Sequence, residues 1–312
     1  FTPELVKAQA QYAHDLLGRV NTVRKVRYAD DPAVAFVEIT NEDSLFMWSA
    51  ARDLPELPEY YANILQARFN VWLKDRYKTT DALQAAWSEG AEPLGDNMLV
   101  DSTFSMPQPE DPAALRWQLE QHGGCRMKAS ALAGTAGVRL NIEKADDTNW
   151  HLMLKQVPIQ IGAGQYYTLM FRARADKPRP LTYSVGQNHD PWNSLGLGGR
   201  VELTPQWQSF RFGFVAQADE DRTRLAFSFG DDPTSLELAD IRLCPGGREG
   251  LRPGESLEQA NVAVFADTES APREQDRWRF LTETEKSYFD RMYRVIRDEV
   301  GCKALVTGTI VF

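Results

Sequence analysis

Cysteine is scarce in this chain, three residues in 312, at positions 125, 244 and 302. Spacing that wide contains no CxxC pair, so a zinc site has no support and a disulfide framework has little. Buried free thiols are the expectation, and one Cys125–Cys244 bridge between neighbouring strands is the most that could form. Histidine is as rare, at His14, His122, His151 and His189, and neither HExxH nor GxSxG occurs, which removes zinc peptidases and nucleophile-elbow hydrolases. No apolar run approaches the roughly 18 residues of a membrane span, so a membrane is not an expected partner. Basic residues form no patch, and the net charge of -9 is spread along the chain, which argues against nucleic acid as a partner. What the chain does have is apolar content, 43% of its residues, enough to fill one large core or two ordinary ones.

The first residues, FTPELVKAQAQ, read as an amphipathic helix start, not a secretion signal, and a chain that opens in mid-element reads as trimmed at its front. Thr2, Pro3 and Glu4 are a capping hydroxyl, a first-turn proline and an early acid, followed by apolar Leu5, Ala8, Tyr12, Leu16 and Leu17. A turn through Asp30, Asp31 and Pro32 then leads into Ala33 to Ser44, AVAFVEITNEDS, an apolar run that ends in an Asn-Glu pair. Such a run predicts a strand buried on both faces in a parallel sheet, where polar groups gather at the carboxyl edge. Asn41 and Glu42 are therefore candidates for chemistry, with a helix-capping role for Glu42 as the plain alternative. Phe46, Met47 and Trp48 follow in a loop, then helices over about Pro58 to Tyr77 and Thr80 to Trp87.

From about Met98 the apolar period changes from helical to two residues, and ten strand-like runs follow, separated by Gly, Pro, Asn and Asp turns. They lie at Leu115–Gln121, Arg126–Leu132, Val138–Lys144, Trp150–Ile161, Tyr166–Ala175, Leu181–Gln187, Gly199–Leu203, Trp207–Val215, Arg224–Phe229 and Leu236–Leu243. Phe210, Phe212 and Phe214, and again Leu225, Phe227 and Phe229, alternate as core-facing rows should. An antiparallel sandwich of jelly-roll type is expected. After a Gly-, Pro- and Glu-rich stretch, Thr282 and Glu285 form a capping-box pattern opening a helix that Gly301 ends, and KALVTGT from Lys303 reads as another parallel strand. The expected organisation is an α/β segment over 1–97, a sandwich over 98–246, a linker over 247–280 and a return to α/β structure over 281–312.

The stretch DDPAVAFVEITNEDSL, with helices ending in DALQAAW, resembles the fourth strand and fourth helix of clan A glycoside hydrolases, the cellulase and β-glycanase TIM barrels. The fold class implied is α/β plus all-β, a partial (β/α)8-barrel segment interrupted by the sandwich. The resemblance implies that Glu42 is the general acid/base and that Asn41 hydrogen-bonds the sugar 2-hydroxyl. It also makes the Lys303 strand the fifth, and the clan's nucleophile, a Glu on the seventh strand, has no counterpart here. GQYYTLMFRARAD and VELTPQWQSFRFGF resemble carbohydrate-binding modules of the galactose-binding-like type. The partner implied is a polysaccharide or oligosaccharide such as a plant-type β-glucan, and the setting extracellular or periplasmic.

Sugar recognition stacks an apolar ring face on an aromatic side chain and hydrogen-bonds the rim hydroxyls. Phe46 and Trp48 are candidates beside Glu42. In the sandwich the candidates are Trp192, in the turn-rich NHDPWNS loop, with Tyr183, Trp150 and Gln187, and Arg172 and Arg174, which share the face opposite the core row. Trp150 begins the row Trp150, Leu152, Leu154, which suits a core position as well as a cleft. Modules of this kind often hold a structural calcium, for which Asp240 is a candidate ligand; no other cofactor is expected. Three readings follow: a piece of a retaining glycanase, a binding protein in which only the sandwich works, or a sandwich that is purely architectural.

Overall fold

The structure, a computed structural model, describes residues 1–46, 53–101, 104 and 116–309. It divides into two compact units, one of 1–89, 250–266 and 271–312, the other of 90–249 and 267–270.

The first unit opens with helix α1 (Pro3–Gly18), where Thr2 precedes the helix without a side-chain capping bond. Two apolar stripes run along this helix, and the inward one is Ala13 and Leu17, whereas Leu5, Tyr12 and Leu16 are exposed. Strand β1 (Phe36–Glu38) pairs in parallel with a second short strand, Leu305–Thr307, in the register Phe36 to Leu305 and Glu38 to Thr307. The parallel pairing is as expected, but the strand is three residues long and not buried on both faces: Phe36 is 59% exposed and Leu305 72%. Only the opposite face, with Val37, Ile39 and Val306, packs on the cluster around Ala13, Met292 and Ile296.

Helices α2 (Glu59–Tyr77) and α3 (Thr80–Trp87) stand where the periodicity places them, and Thr79 caps α3 by accepting from the Ala82 amide at 3.2 Å. The last helix, α4, differs. It runs Ala271–Arg294, so Thr282 lies mid-helix and its hydroxyl donates to the Trp278 carbonyl instead of capping. The expected partner of that cap, Glu285, accepts from the Leu45 amide at 2.9 Å.

The stretch expected to be a linker is packed. Leu257, Val262 and Val264 are buried with Phe69, Trp87 and Phe280. Its composition misleads because it is held by polar groups. Arg273, buried in α4, donates to the carbonyls of Gly250 at 2.7 Å and Ala263 at 3.0 Å, and forks onto Glu255 at 2.7 and 2.9 Å. Asn70 of α2 accepts from the Val262 amide and donates to its carbonyl.

The second unit is a β-sandwich of ten strands: β2 (Arg116–Gln121), β3 (Arg126–Ala131), β4 (Gly137–Lys144), β5 (Leu152–Ile161), β6 (Tyr166–Ala175), β7 (Arg179–Gln187), β8 (Ser194–Leu203), β9 (Gln208–Val215), β10 (Glu220–Ser228) and β11 (Leu236–Pro245). With β1 and the Leu305–Thr307 strand, β12, these are the strands among the described residues. One sheet has the order β2-β5-β10-β7-β8 and the other β3-β4-β11-β6-β9, and the ladders within both are antiparallel. The anticipated rows fill the space between them: Leu225, Phe227 and Phe229 are fully buried, and Phe210 and Phe212 pack against the same cluster. Strand β8 begins at Ser194, earlier than expected, because Gly196 and Gly198 dilute the apolar pattern; Gly196 sits at φ +115 against the Val215 carbonyl, where no side chain fits. Cys125, Cys244 and Cys302 are free and buried.

The packed stretch makes a checkable claim. Arg273→Met leaves the Glu255 carboxylate without its guanidinium, and breaking one half of a buried pair costs about 3–5 kcal/mol. Urea unfolding followed by far-ultraviolet circular dichroism is expected to show an earlier loss of helix, and an unchanged midpoint would mark residues 250–266 as dispensable.

Candidate functional site

Each sandwich strand sends alternate side chains inward and outward, so the pairing register defines what the outer face of the β2-β5-β10-β7-β8 sheet displays. One row across the five strands is Gln118, Lys155, Ala226, Ser184 and Gly198; the next is Glu120, Met153, Ser228, Thr182 and Arg200. The middle of both rows is small, which lowers the floor relative to longer side chains around it. Lys155, 4% exposed, lies in this floor and is held by Glu120 at 2.5 Å and the Asn188 amide oxygen at 2.8 Å. Burial pushes the Glu120 carboxyl up, but Lys155 and His122 together outweigh it and leave the group below its usual value.

Beyond these rows, Arg224 pairs with Gly186, and its guanidinium lies 5.0 Å from the ring centre of Trp192. The Arg224 Nε is buried with no hydrogen-bond partner among the described residues, and burial holds the group below its ordinary pKa. Trp192 is 51% exposed at φ +64, on a loop that is pinned throughout. Its amide donates to the His189 carbonyl at 2.8 Å, the Gln187 amide to the Asn193 carbonyl at 2.9 Å, and the Asn188 amide to the Arg222 carbonyl at 2.9 Å. Gln187 takes the Asn193 amide on its side-chain oxygen and donates to Glu220, so it positions the loop.

At the other end, Trp150 lies on a 3-10 turn, Asn149–His151, ahead of β5. It is 51% exposed and packs edge-on against His151 at 4.3 Å and beside His122 at 5.6 Å. Asn149 donates to the Thr182 hydroxyl at 3.2 Å, which ties this turn to the outer face. Of the two placements open for Trp150, the exposed one holds. The four residues from Ser228 to Arg224 separate the two ends by about 13 Å at ~3.3 Å per residue.

Other candidates fall elsewhere. Tyr183 belongs to the inward row with Leu154 and Phe227, is 7% exposed, and stacks on Phe212 at 4.3 Å, so it is core and not a surface contact. Its immediate polar neighbours, Thr182 and Ser184, point the other way. Arg172 and Arg174 do share a face, but it is the outer face of the second sheet, where both stack on Trp207 at 4.9 and 4.8 Å. Arg174 pairs with Glu237 at 2.7 Å and Arg172 with Asp240 at 3.0 Å, so the carboxylate considered for calcium is engaged by a guanidinium. Lys155, Glu120 and Arg224 were missed by sequence reasoning, although the alternation in LMLKQV and RTRLAF already marks Lys155 and Arg224 as outward.

In the first unit, Asn41 and Glu42 follow β1 and are both exposed, with Glu42 at φ +45. The Thr40 amide donates to the Gly308 carbonyl and the Asp43 amide to the Thr309 hydroxyl, which fixes the pair at the strand's carboxyl end. A cavity of about 510 Å³ nearby is lined by Thr40, Asp43, Ser44, Tyr61, Glu285 and Tyr288, among others, and not by Asn41 or Glu42. Phe46 packs against Trp278 at 5.8 Å between ring centres; Trp48 lies outside the described residues.

Residues 96–235 match a family described as carbohydrate binding domain, and residues 4–90 match one described as β-galactosidase. Among solved structures, one described as "CBM4 structure and function" is 28% identical, covers 47% of this chain and 99% of its own, and has a TM-score of 0.41. The N-terminal cellulose-binding domain of Cellulomonas fimi β-1,4-glucanase C is 21% identical over 43% of this chain and 90% of its own, at a TM-score of 0.35. The second such domain of that enzyme is 16% identical over 49% and 96%, at 0.37. No curated protein matches the chain.

The Trp192 loop carries a titratable group. His189 Nδ1 faces the Asp190 carbonyl at 2.7 Å and Nε2 faces Glu220 at 2.9 Å, and these acceptors raise its pKa against the opposing charge of Arg222. A raised folded-state pKa means that the protonated ring stabilises the loop fully below the unfolded value of about 6.5, and that this contribution is lost as pH rises through the folded value. NMR titration of the imidazole is expected to give a pKa above that of a free histidine, falling back in Glu220→Gln. A wild-type value at or below the free one would refute the pairing.

Proposed function

We propose that the chain, whose residues 4–90 match a β-galactosidase family and residues 96–235 a carbohydrate binding domain family, is part of a modular retaining glycanase whose sandwich holds a neutral polysaccharide. The ligand lies along the outer face of the β2-β5-β10-β7-β8 sheet. Trp192 and Trp150 stack on pyranose rings at the two ends, and Gln118, Glu120, Asn188 and Arg224 hydrogen-bond the hydroxyls between. The observation that carries this reading is Arg224 on Trp192: a half-buried guanidinium 5.0 Å from the centre of a tryptophan ring that is 51% exposed on this face.

The polysaccharide is a plant-type β-glucan in the first instance. The description of the family matched by residues 4–90 favours a β-galactan as the second reading. Substrates of that size place the protein in an extracellular or periplasmic setting, and no described helix is long and apolar enough to cross a membrane. The chain is expected to be retained on insoluble β-glucan. Removing a stacked tryptophan at a binding hot spot costs about 2 kcal/mol or more, roughly 30-fold in affinity, so Trp192→Ala is expected to elute early in affinity electrophoresis. If wild type ignores both β-glucan and β-galactan, the sandwich is architectural.

For the first unit we propose a segment of a (β/α)8 barrel in which β1 and β12 are adjacent strands. Glu42 is the general acid/base, protonating the leaving oxygen and then deprotonating water. Asn41 holds the 2-hydroxyl, and Phe46 walls the subsite. The support is the position of the pair at the carboxyl end of a parallel strand within the matched residues 4–90. A second carboxylate about 5 Å away acts as nucleophile in such enzymes. In the full-length enzyme Glu42→Gln is expected to slow hydrolysis by about 100- to 10,000-fold while leaving substrate binding intact. Normal turnover by that variant would remove the role.

A further inference from the structure

One cluster in the sandwich lies between the edge of the core, where Cys125 belongs, and the turn that carries Trp150. Cys125, Asp146 and His151 come from three separate segments, and one ligand atom of each lies within 4.8 Å of the others. Cys125 is fully buried at the base, with its sulfur within 4.8 Å of an Asp146 carboxylate oxygen. His151 Nδ1 sits 2.6 Å from Asp146 Oδ2, and both side chains are partly exposed, so the cluster is open to solvent.

The backbone holds the three in place. The Cys125 amide donates to the His122 carbonyl and the His122 amide to the His151 carbonyl, both at 2.8 Å, which locks the β2–β3 turn to the turn carrying His151. The Thr148 amide donates to Asp146 Oδ1 at 2.8 Å and fixes that carboxylate with its other oxygen toward the imidazole. Gly123, at φ +59, lets the chain pass directly over the cluster: a Cβ there would lie 2.5 Å from His151 Nδ1 and 2.8 Å from Asp146 Oδ2. The nearest remaining imidazole, His122, turns its Nε2 toward Glu120 at 3.6 Å.

We propose that Cys125, Asp146 and His151 form a zinc site, with water in the fourth position. A thiolate, an imidazole nitrogen and a carboxylate oxygen are a mixed donor set that suits a borderline-soft divalent cation and not calcium or magnesium, which take oxygen alone. Metal–ligand bonds of about 2.0–2.3 Å in tetrahedral geometry put ligand atoms roughly 3.2–3.6 Å apart. The cluster reaches that by shifts of about 1 Å, opening the Asp146–His151 contact and closing the contacts to sulfur. Zinc replaces the thiol proton, which leaves to solvent, and His151 binds through Nδ1 in its neutral form. Affinity therefore weakens as pH falls. The bound ion ties the β2–β3 turn to the turn that carries Trp150, and the site stands whether or not that face binds sugar.

The test is metal binding by the whole chain after chelator treatment. Calorimetric titration with zinc chloride is expected to give one equivalent per chain, and cobalt(II) chloride to give a thiolate-to-cobalt charge-transfer band. Cys125→Ser should abolish the band. Cys125→Ser and His151→Gln should each weaken zinc by more than the about 10- to 100-fold that loss of an outer-shell partner costs, while His122→Ala keeps both the band and the affinity. Circular dichroism in chelator shows that each variant is folded, and His151→Gln carries the test if Cys125→Ser is not. Absence of the band in wild type, or stoichiometric zinc of undiminished affinity in both ligand variants, overturns the site.

Discussion

The sandwich depends on one constraint, the packing of two inward aromatic rows across the space between its sheets. Phe171 on β6 meets Phe227 on β10 at 5.0 Å, and Tyr183 on β7 stacks on Phe212 of β9 at 4.3 Å. Because side chains alternate strictly along a strand, fixing Phe227 and Tyr183 inward fixes Ala226, Ser228, Thr182 and Ser184 outward. A slip of one residue would drive Lys155 and Arg224 into that core, at a cost no register change could offset. The composition of the outer face thus follows from the core.

That dependence explains what was legible in the sequence. The ten strands and the rows through Phe214 and Phe227 could be read because their period is two and their turns are marked. Tyr183 was misread although its own strand, with Leu181 and Val185 beside it in the alternation, pointed inward. Proximity in sequence to polar residues is a poor guide where neighbours face opposite ways. The stretch over 250–266 failed for a different reason. It contributes few apolar side chains and is held by Arg273 and Asn70, which bond its backbone from helices distant in sequence. Composition carries no trace of such bonds. The Asn41–Glu42 pair was visible as a motif, but the strand before it was overestimated, since an apolar run does not report how many neighbours a strand has.

Arginines of similar sequence setting came out with opposite roles. Arg172 and Arg174 alternate with apolar residues on β6, as Arg224 does on β10. The first two are matched by Asp240 and Glu237 and share the Trp207 ring, so their charge and donors are satisfied within their own sheet. Arg224 faces Gly186 across the ladder and has Trp192 on its face, and its Nε has no described acceptor. The difference lies in what the neighbouring strand presents, which only pairing register reveals.

The charges around the floor narrow the class of ligand that suits it. Lys155 is neutralised by Glu120, Arg200 lies 3.4 Å from Asp231, and Glu220 is taken by His189 and Gln187. Arg224 is the cation there whose Nε lacks a described partner, and its guanidinium is already spread over an aromatic face. A polyanion would meet one uncompensated positive group beside two carboxylates and gain little. A neutral glycan loses nothing to those carboxylates, since hydroxyls both donate and accept hydrogen bonds, and apolar ring faces suit exposed tryptophans. The electrostatics of the face and the acidic balance of the whole chain, -9, favour the same uncharged ligand.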